Sequence, residues 1–286
     1  MKGAVLINGY LDGRSFLEPA EMMVSSAQKM GVEMSIIRNS DLRAPIGDRD
    51  ALSAAMGDPD FVVFWDKDVN LARNLEICDI VVFNTSECIR LCDDKALTHM
   101  MLKDWDVPSI KTVSSPMSFG RPIGDWVEGL AETIGFPMVV KDCFGSFGQQ
   151  VRLIKNMNDL RKEAESGVPR IFQEYIECNG EDVRIEVVGG NVIAAVKRKA
   201  PEGDFRSNAS NGGVMIPYEP TDEEKSLAIE ASYAVQADFA GIDIINTNDG
   251  PVVCEVNSNA HIMNLKNATG IDASVPILEH IIRTLS

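Results

Sequence analysis

Short apolar runs alternate with amphipathic stretches along residues 1–90, which predicts strands and helices in turn. AVLING (4–9), EMSIIRN (33–39), FVVFW (61–65) and DIVVFN (79–84) read as strands. LEPAEMMVSSAQKM (17–30) reads as a helix ended by Gly31, and VNLARNLEIC (69–78) has helical spacing. TSECIRLCDDKALTHMMLKDW (85–105) reads as one long helix with a Thr/Ser start. Beyond it the order is strand FPMVVKD (136–142), glycine loop, strand VRLI (151–154) and helix NMNDLRKEAES (156–166).

From residue 173 onward the pattern becomes paired strands. DVRIEVVGGNVIAAVKRK (182–199) predicts a hairpin across Gly189-Gly190, and GIDIINT (241–247) with PVVCEVN (251–257) predicts another across Asn248-Asp249-Gly250. Between them TDEEKSLAIEASYAVQADF opens with a capping box, Thr221 and Glu224, and reads as a helix; IDASVPILEHIIRTL closes the chain as another. The expected class is α/β with α+β lobes, divided into an N-terminal α/β lobe (1–90), a central lobe with a glycine flap (91–172) and a C-terminal lobe with a metal site (173–286).

The second hairpin carries the chemistry. Strand alternation puts Val252, Cys254 and Val256 on one face, and Val253, Glu255 and Asn257 on the other. Counting back through the turn sets Asp243 roughly opposite Glu255. Two carboxylates and an amide oxygen are hard donors of the kind Mg²⁺ accepts, with room left for phosphate oxygens.

A metal of that kind calls for phosphate nearby, yet neither GxxxxGK[ST] nor GxGxxG occurs. The available device is Lys141 at a strand end, followed by Gly145-Ser146-Phe147-Gly148, whose backbone N–H groups can close over phosphate. Arg206, Ser207 and Asn208 form a further cluster of donors, with Lys197, Arg198 and Arg184 close by, and suit a migrating phosphoryl group or a carboxylate.

Charge and cysteine usage narrow the field. A formal net charge of -16 argues against a nucleic-acid-gripping protein while leaving room for a local anion site. No apolar run approaches the ~18 residues of a membrane span, and the opening MKGAVLINGY reads as a strand rather than a signal peptide. The six cysteines form no CxxC pair, so reduced, buried thiols in a cytoplasmic protein are expected, without a zinc site. Cys143 and His261 read as packing residues.

Taken together, DDK (93–95), VVKDCFGSFG (139–148), FQEYIECNGEDVR (172–184), KRKAPEGDFRSNASNGG (197–213), GIDII (241–245) and VVCEVN (252–257) resemble the ATP-grasp superfamily, most closely its RimK-type glutamate ligases. The resemblance runs from about Val82 to the C-terminus, and only the general α/β pattern extends to the leading, pre-ATP-grasp lobe. It implies an ATP-grasp fold with ATP between the central and C-terminal lobes. Lys95 and Lys141 would contact the phosphates, and Gly145, Ser146 and Gly148 would form the flap. Backbone groups of Glu174, Tyr175 and Ile176 would hold the adenine, with Asp182 near the ribose. Arg206 and Asn208 would face the transferring phosphoryl group. Arg184, Arg198, Ser207 and Asn259 would contact substrate. Asp243, Glu255 and Asn257 would hold two Mg²⁺ (or Mn²⁺) ions.

The implied reaction is ATP-dependent joining of a carboxylate to an amine through an acyl phosphate, with L-glutamate as the first candidate amino acid and a small molecule or peptide as acceptor. The alternatives are an inactive ATP-binding protein of the same fold and a ligase acting on a protein tail. The chain departs from the family pattern after EVN, where Ser258-Asn259-Ala260-His261 replaces the common Ser-x-Pro-Gly turn, and at Phe147 and Lys199. No membrane or nucleic-acid partner is expected, and a homo-oligomer is left open.

Overall fold

The computed structural model describes residues 1–11, 13–145, 150–201, 213–259 and 262–286. The first lobe contains β1 (Lys2–Ile7), α1 (Arg14–Lys29), β2 (Glu33–Arg38), α2 (Arg49–Met56), β3 (Phe61–Trp65), α3 (Val69–Ile77) and β4 (Val82–Phe83). Its sheet is parallel, in the order β2-β1-β3-β4. Both faces are covered, which explains the near-continuous apolar strands. Val5, Ile7 and Val63 pack with Met23 and Ala27 of α1, while Ala4, Leu6 and Phe64 pack with Leu52 and Leu75 of α2 and α3. Gly3 is required in β1, because a Cβ there would stand 2.5 Å from the Phe61 ring.

The stretch expected as one helix over 85–105 is two: α4 (Ser86–Asp93) and α5 (Lys95–Asp104). Asp94 takes an extended conformation between them and caps the second, its side chain accepting from the N–H groups of Ala96 and Leu97. A short carboxylate that bonds the backbone just ahead of it competes with helix continuation. The break puts Lys95 at the first position of a new helix, where its N–H donates to the Cys143 carbonyl.

The central lobe follows with β5 (Thr112–Ser114), α6 (Gly124–Ile134), β6 (Met138–Asp142), β7 (Val151–Ile154), α7 (Met157–Ala164) and β8 (Arg170–Glu174). The sheet is antiparallel, ordered β5-β8-β6-β7. Met138, Val140 and Phe172 pack under Val127, Leu130 and Leu160 of the two helices. Alternation then sends Lys141 to the uncovered face.

The last lobe holds β9 (Glu181–Val188), β10 (Asn191–Lys199), β11 (Val214–Pro217), α8 (Asp222–Ala234), β12 (Phe239–Thr247), β13 (Gly250–Asn257), α9 (Ile262–Thr269) and α10 (Ser274–Leu285). Its antiparallel sheet runs β11-β10-β9-β12-β13, with both hairpins turning where the sequence places them, and the Thr221–Glu224 capping box is formed. One face buries Val183, Ile185, Val187, Ile242, Ile244 and Val253 against Leu227, Ala228 and Ala231 of α8. The other face is divided. Val188, Ala194, Val196 and Phe239 join the core shared with α1, α9 and α10, whereas Asp182, Arg184, Glu186, Arg198 and Asp243 form a charged region.

Two contacts set the lobes against one another. Asn84, fully buried, donates to the carbonyls of Phe239 and Ser258 and accepts from the N–H groups of Asp238 and Phe239. Past α5, Pro108 and Ile110 exchange backbone hydrogen bonds with Val253, which lays the entry to the central lobe along the edge of β13.

Candidate active site

The charged region is built by strand register. Asp182 lies opposite Arg198, Arg184 opposite Asp243, and Asp243 opposite Glu255. Cross-strand side chains at such positions stand about 5 Å apart at Cβ, close enough for ion pairs. Arg184 grips Asp243 with two bonds, Nε to Oδ1 at 2.6 Å and Nη2 to Oδ2 at 2.8 Å. Arg198 donates from Nε to Asp182 Oδ1 at 2.7 Å and from Nη2 to Asp182 Oδ2, and the same Nη2 reaches Asp243 Oδ2 at 2.9 Å.

These groups are buried, and their protonation follows from competition. Burial disfavours the Asp243 carboxylate, but Arg184 and then Arg198 outweigh it and hold the group down at about 2. Burial likewise opposes the Arg198 charge, and Asp243 and Asp182 overcome it, raising its pKa. Glu186 forms no such pair with a described residue. Burial pushes its carboxyl up to about 7, against the pull of Arg184.

One detail departs from the alternation expected for PVVCEVN. Ile244 faces Val253 while Asp243 faces Glu255, so Cys254 is an inserted residue, a β-bulge. Val253 therefore enters the same core as Val256 instead of sharing a face with Glu255, and Cys254 turns toward the central lobe. There the Lys141 ammonium stands 3.5 Å from Cys254 Sγ. Lys141 keeps a raised pKa despite burial, because Cys254, Glu255 and Asp243 favour its charge. Lys95 arrives from the other side, donating to the Gly145 carbonyl at 3.0 Å and standing 3.8 Å from Glu255 Oε1. His99, one turn along α5, is buried beside Gln173 (2.8 Å) and held near 3 by burial and by Lys141, so it is a neutral packing group.

The structure thus brings together Lys95, Lys141, Gly145, Asp182, Arg184, Arg198, Asp243 and Glu255. Asn257 follows on β13; its Nδ2 donates weakly to the Gly241 carbonyl at 3.4 Å and its Oδ1 is uncommitted among the described residues. Four other expected residues stand apart from this row. Glu174 spends its N–H on the Lys111 carbonyl and its Oε1 on the Lys111 N–H, each at 3.1 Å. Tyr175 is half-buried with its hydroxyl 3.2 Å from Glu177, and Ile176 is half-buried in the same connection between β8 and β9. Asn259 donates to the Asp66 carbonyl at 2.7 Å, facing the first lobe, and its Oδ1 is buried without a partner among the described residues. Ser146, Gly148, Arg206, Ser207 and Asn208, also expected in the site, lie outside the described residues, as do Phe147, Ala260 and His261.

Among the described residues no group of three or more His, Cys, Asp and Glu side chains stands ready to hold a metal. Asp243 is turned to the arginines and Glu255 to Lys95. The donor chemistry still fits a hard divalent cation: two carboxylates and an amide oxygen on two adjacent strands, without a thiolate or imidazole among them.

A recess of about 240 Å³ opens in the first lobe at the carboxyl ends of β1 and β2, lined by Ile7, Asn8, Gly9, Phe16, Leu17 and Arg38 among others. Asp66 forms its polar neighbour, receiving bonds from Asn8 and Asn39, and connects it through Asn259 to the charged sheet. Crevices at this end of an open parallel sheet are common ligand sites. Neither Asp66 nor Glu186 was singled out from sequence. Glu186 had a readable signal: a lone acid within RIEVV, two residues from Arg184 and hence on its face.

The model of the RimK-like ATP-grasp domain matches residues 92–281. A probable alpha-L-glutamate ligase of Methanococcoides burtonii is 34% identical over 218 residues, covering 74% of this chain and 70% of that protein. Human N-acetylaspartylglutamate synthase A is 33% identical over 227 residues, 77% of this chain and 57% of the relative. A RimK domain ATP-grasp protein from Sphaerobacter thermophilus superposes with a TM-score of 0.73 at 18% identity, covering 98% of this chain and 99% of that one, a likeness of fold. No helix among the described residues is long and apolar enough to cross a membrane.

Proposed function

The chain belongs to the RimK-like ATP-grasp family of ATP-dependent ligases, and we propose that it joins an amino acid, L-glutamate foremost, to the carboxylate of a small molecule or peptide. The observation that carries this reading is the in-register row of Asp182–Arg198, Arg184–Asp243 and Glu255 with Lys95 and Lys141 standing over it. Such a row holds concentrated charge of both signs between lobes and offers no nucleophile of its own, which suits phosphoryl transfer, where positioning and charge neutralisation do most of the work. The names of the glutamate ligase and the N-acetylaspartylglutamate synthase support glutamate as the added residue and a small acceptor.

In this reading the substrate carboxylate attacks the γ-phosphoryl of ATP, and the amine then displaces phosphate from the acyl phosphate. Lys95 and Lys141 neutralise phosphate charge. Their present partners, a backbone carbonyl, a thiol and a carboxylate 3.8 Å away, are weak enough to be exchanged for phosphate oxygens. Asp243, Glu255 and Asn257 would hold two Mg²⁺ ions, which supply further neutralisation of the transferring group. Arg184 and Arg198 then orient anionic substrate, and the recess beside Asp66 receives the acceptor. Arg206 and Asn208 complete the proposal from outside the described residues. Closure of the central lobe, with Gly145, Ser146 and Gly148 at its flap, excludes water from the acyl phosphate. Adenine is assigned to the connection at Glu174–Ile176. A cytoplasmic setting is supported by the six free cysteines.

The test is phosphate release from Mg·ATP across a panel of amino acids and small carboxylates. One pair should stimulate release, and Glu255→Ala should abolish the stimulation. Release that ignores every carboxylate and amine pair, peptides included, would reject the ligase substrates proposed here.

A further inference from the structure

The residue left unexplained by the nucleotide and metal assignments is Glu186. It is 4% exposed, yet it makes no hydrogen bond or ion pair with any described residue. A charged carboxylate in that position is costly unless something answers it. Among the described residues its oxygens do not belong to the fully occluded side-chain polar atoms that lack a hydrogen bond. The stem is therefore enclosed while the carboxylate itself meets solvent space.

Its neighbours leave that space open. Across the sheet Glu186 faces Ala194 on β10 and Gly241 on β12, residues with little or no side chain. Along β9, Arg184 lies two residues away on the same face, about 7 Å at Cα. Arg184 commits Nε and Nη2 to Asp243, and its Nη1 is neither bonded nor occluded among the described residues. An open carboxylate and an open guanidinium edge side by side match the two ends of an α-amino acid, ammonium and carboxylate.

We infer that Glu186 is the docking site for the ammonium group of the amino-acid substrate, with Arg184 Nη1 taking its carboxylate. The alternative occupant, a divalent cation, is disfavoured because Glu186 is a lone carboxylate whose cross-strand neighbours Ala194 and Gly241 offer no side-chain oxygen, whereas a zwitterion brings its own anion to Arg184. The inference rests on the proposed ligase reading for the identity of the ligand, but not for its test.

That test is calorimetric titration of the full chain with paired probes: L-glutamate against glutarate, L-aspartate against succinate, L-alanine against propionate. Wild type should bind at least one amino acid ten or more times more tightly than its partner lacking the amine. Glu186→Gln, which keeps shape and adds no charge, should bring that ratio to within threefold while ADP still binds. A ratio unchanged in Glu186→Gln, or no ammonium preference in wild type for any pair, overturns the assignment. Phosphate release that responds to a carboxylate and amine while Glu186→Gln keeps its preference would leave the ligase standing and remove Glu186 from it. The reverse result, a Glu186-dependent preference without stimulated release, would do the opposite.

Discussion

Replacing Glu186 by Gln should stabilise the ligand-free protein, and by an amount that grows with pH. The carboxyl sits at about 7 in the folded chain against an ordinary 4.5, with burial as the leading cause. Between those values the folded state holds a proton that the unfolded chain has released, so stability falls as pH rises. Below 4.5 the side chain is neutral in both states and the penalty vanishes. Above 7 the full cost of the buried charge is present, about 3 kcal/mol for a rise of this size at ~1.4 kcal/mol per unit. Glutamine cannot ionise and escapes that cost. The advantage of Glu186→Gln should therefore be small at pH 4.5 and reach about 3 kcal/mol by pH 8, or roughly 6–12 °C in Tm at the 2–4 °C per kcal/mol usual for chains of comparable length.

The assay is thermal unfolding of wild type and variant side by side from pH 4.5 to 8.5, without nucleotide or amino acids. The difference in Tm should follow a single titration across that window. A constant difference would mean that Glu186 does not titrate with a raised value. A variant less stable than wild type at pH 8 would mean that the carboxylate has a partner in the folded state, and would refute the description of Glu186 as an open acid. Gained stability with lost amino-acid preference is the trade expected of a group kept for binding.

Other outcomes follow from the same row of residues. Asp243→Asn leaves Arg184 and Arg198 short of an anion and should cost about 3–5 kcal/mol in urea unfolding, as when one partner of a buried ion pair is removed. Lys141→Met should weaken ADP binding by about tenfold or more in calorimetric titration, the loss of a single charge-assisted contact. Glu255→Ala should reduce substrate-stimulated phosphate release by about a hundredfold or more with an intact fold, because its Lys95 contact at 3.8 Å is loose. Asn84→Ala should destabilise by about 3 kcal/mol in the same unfolding assay, since it strands buried carbonyl and N–H groups of residues 238, 239 and 258.

Strand periodicity and turn chemistry made most of the sheets legible. FVVFW and the hairpins at Gly189-Gly190 and Asn248-Asp249-Gly250 lie where pattern puts them, and the first strand runs Lys2–Ile7, two residues ahead of AVLING, because a two-faced sheet enforces period two and tight turns demand glycine. The break at Asp94 was hidden because both flanks keep helical spacing, so only the Asp side chain marks the boundary. Helix α6 and strand β5 went unread, the first because Gly124 and Gly129 weaken its helical signal and the second because TVS is three residues long. The metal and lysine candidates were visible as polar residues ending apolar runs. That Asp243 is held by Arg184 and Arg198 was not, since pairing depends on which residues face across the strands.

Cross-strand facing is decided by two inserted residues. From the turn at Gly189-Gly190, β9 and β10 pair regularly as far as Val187 with Val192; a regular continuation would set Asp182 against Lys197. The bulge at Ile193 shifts the register by one and sets Asp182 against Arg198. From the other turn, regular pairing holds to Ile244 with Val253 and would next set Asp243 against Cys254. The bulge at Cys254 brings Glu255 opposite instead. A one-residue slip also changes which face a side chain takes. Without the first bulge the Asp182 carboxylate would face a lysine that cannot form the two-pronged pair; without the second, the carboxylate of Glu255 would not stand in register with Asp243. Both bulges lie within hairpins whose turns already fix the starting register, so each can shift the ladder beyond it while the apolar face remains filled. The Arg184–Asp243 pair belongs to the regular β9–β12 ladder, and the outer members of the site, Arg198 and Glu255, meet it because the ladders of the two flanking strands, β10 and β13, are each offset by one residue.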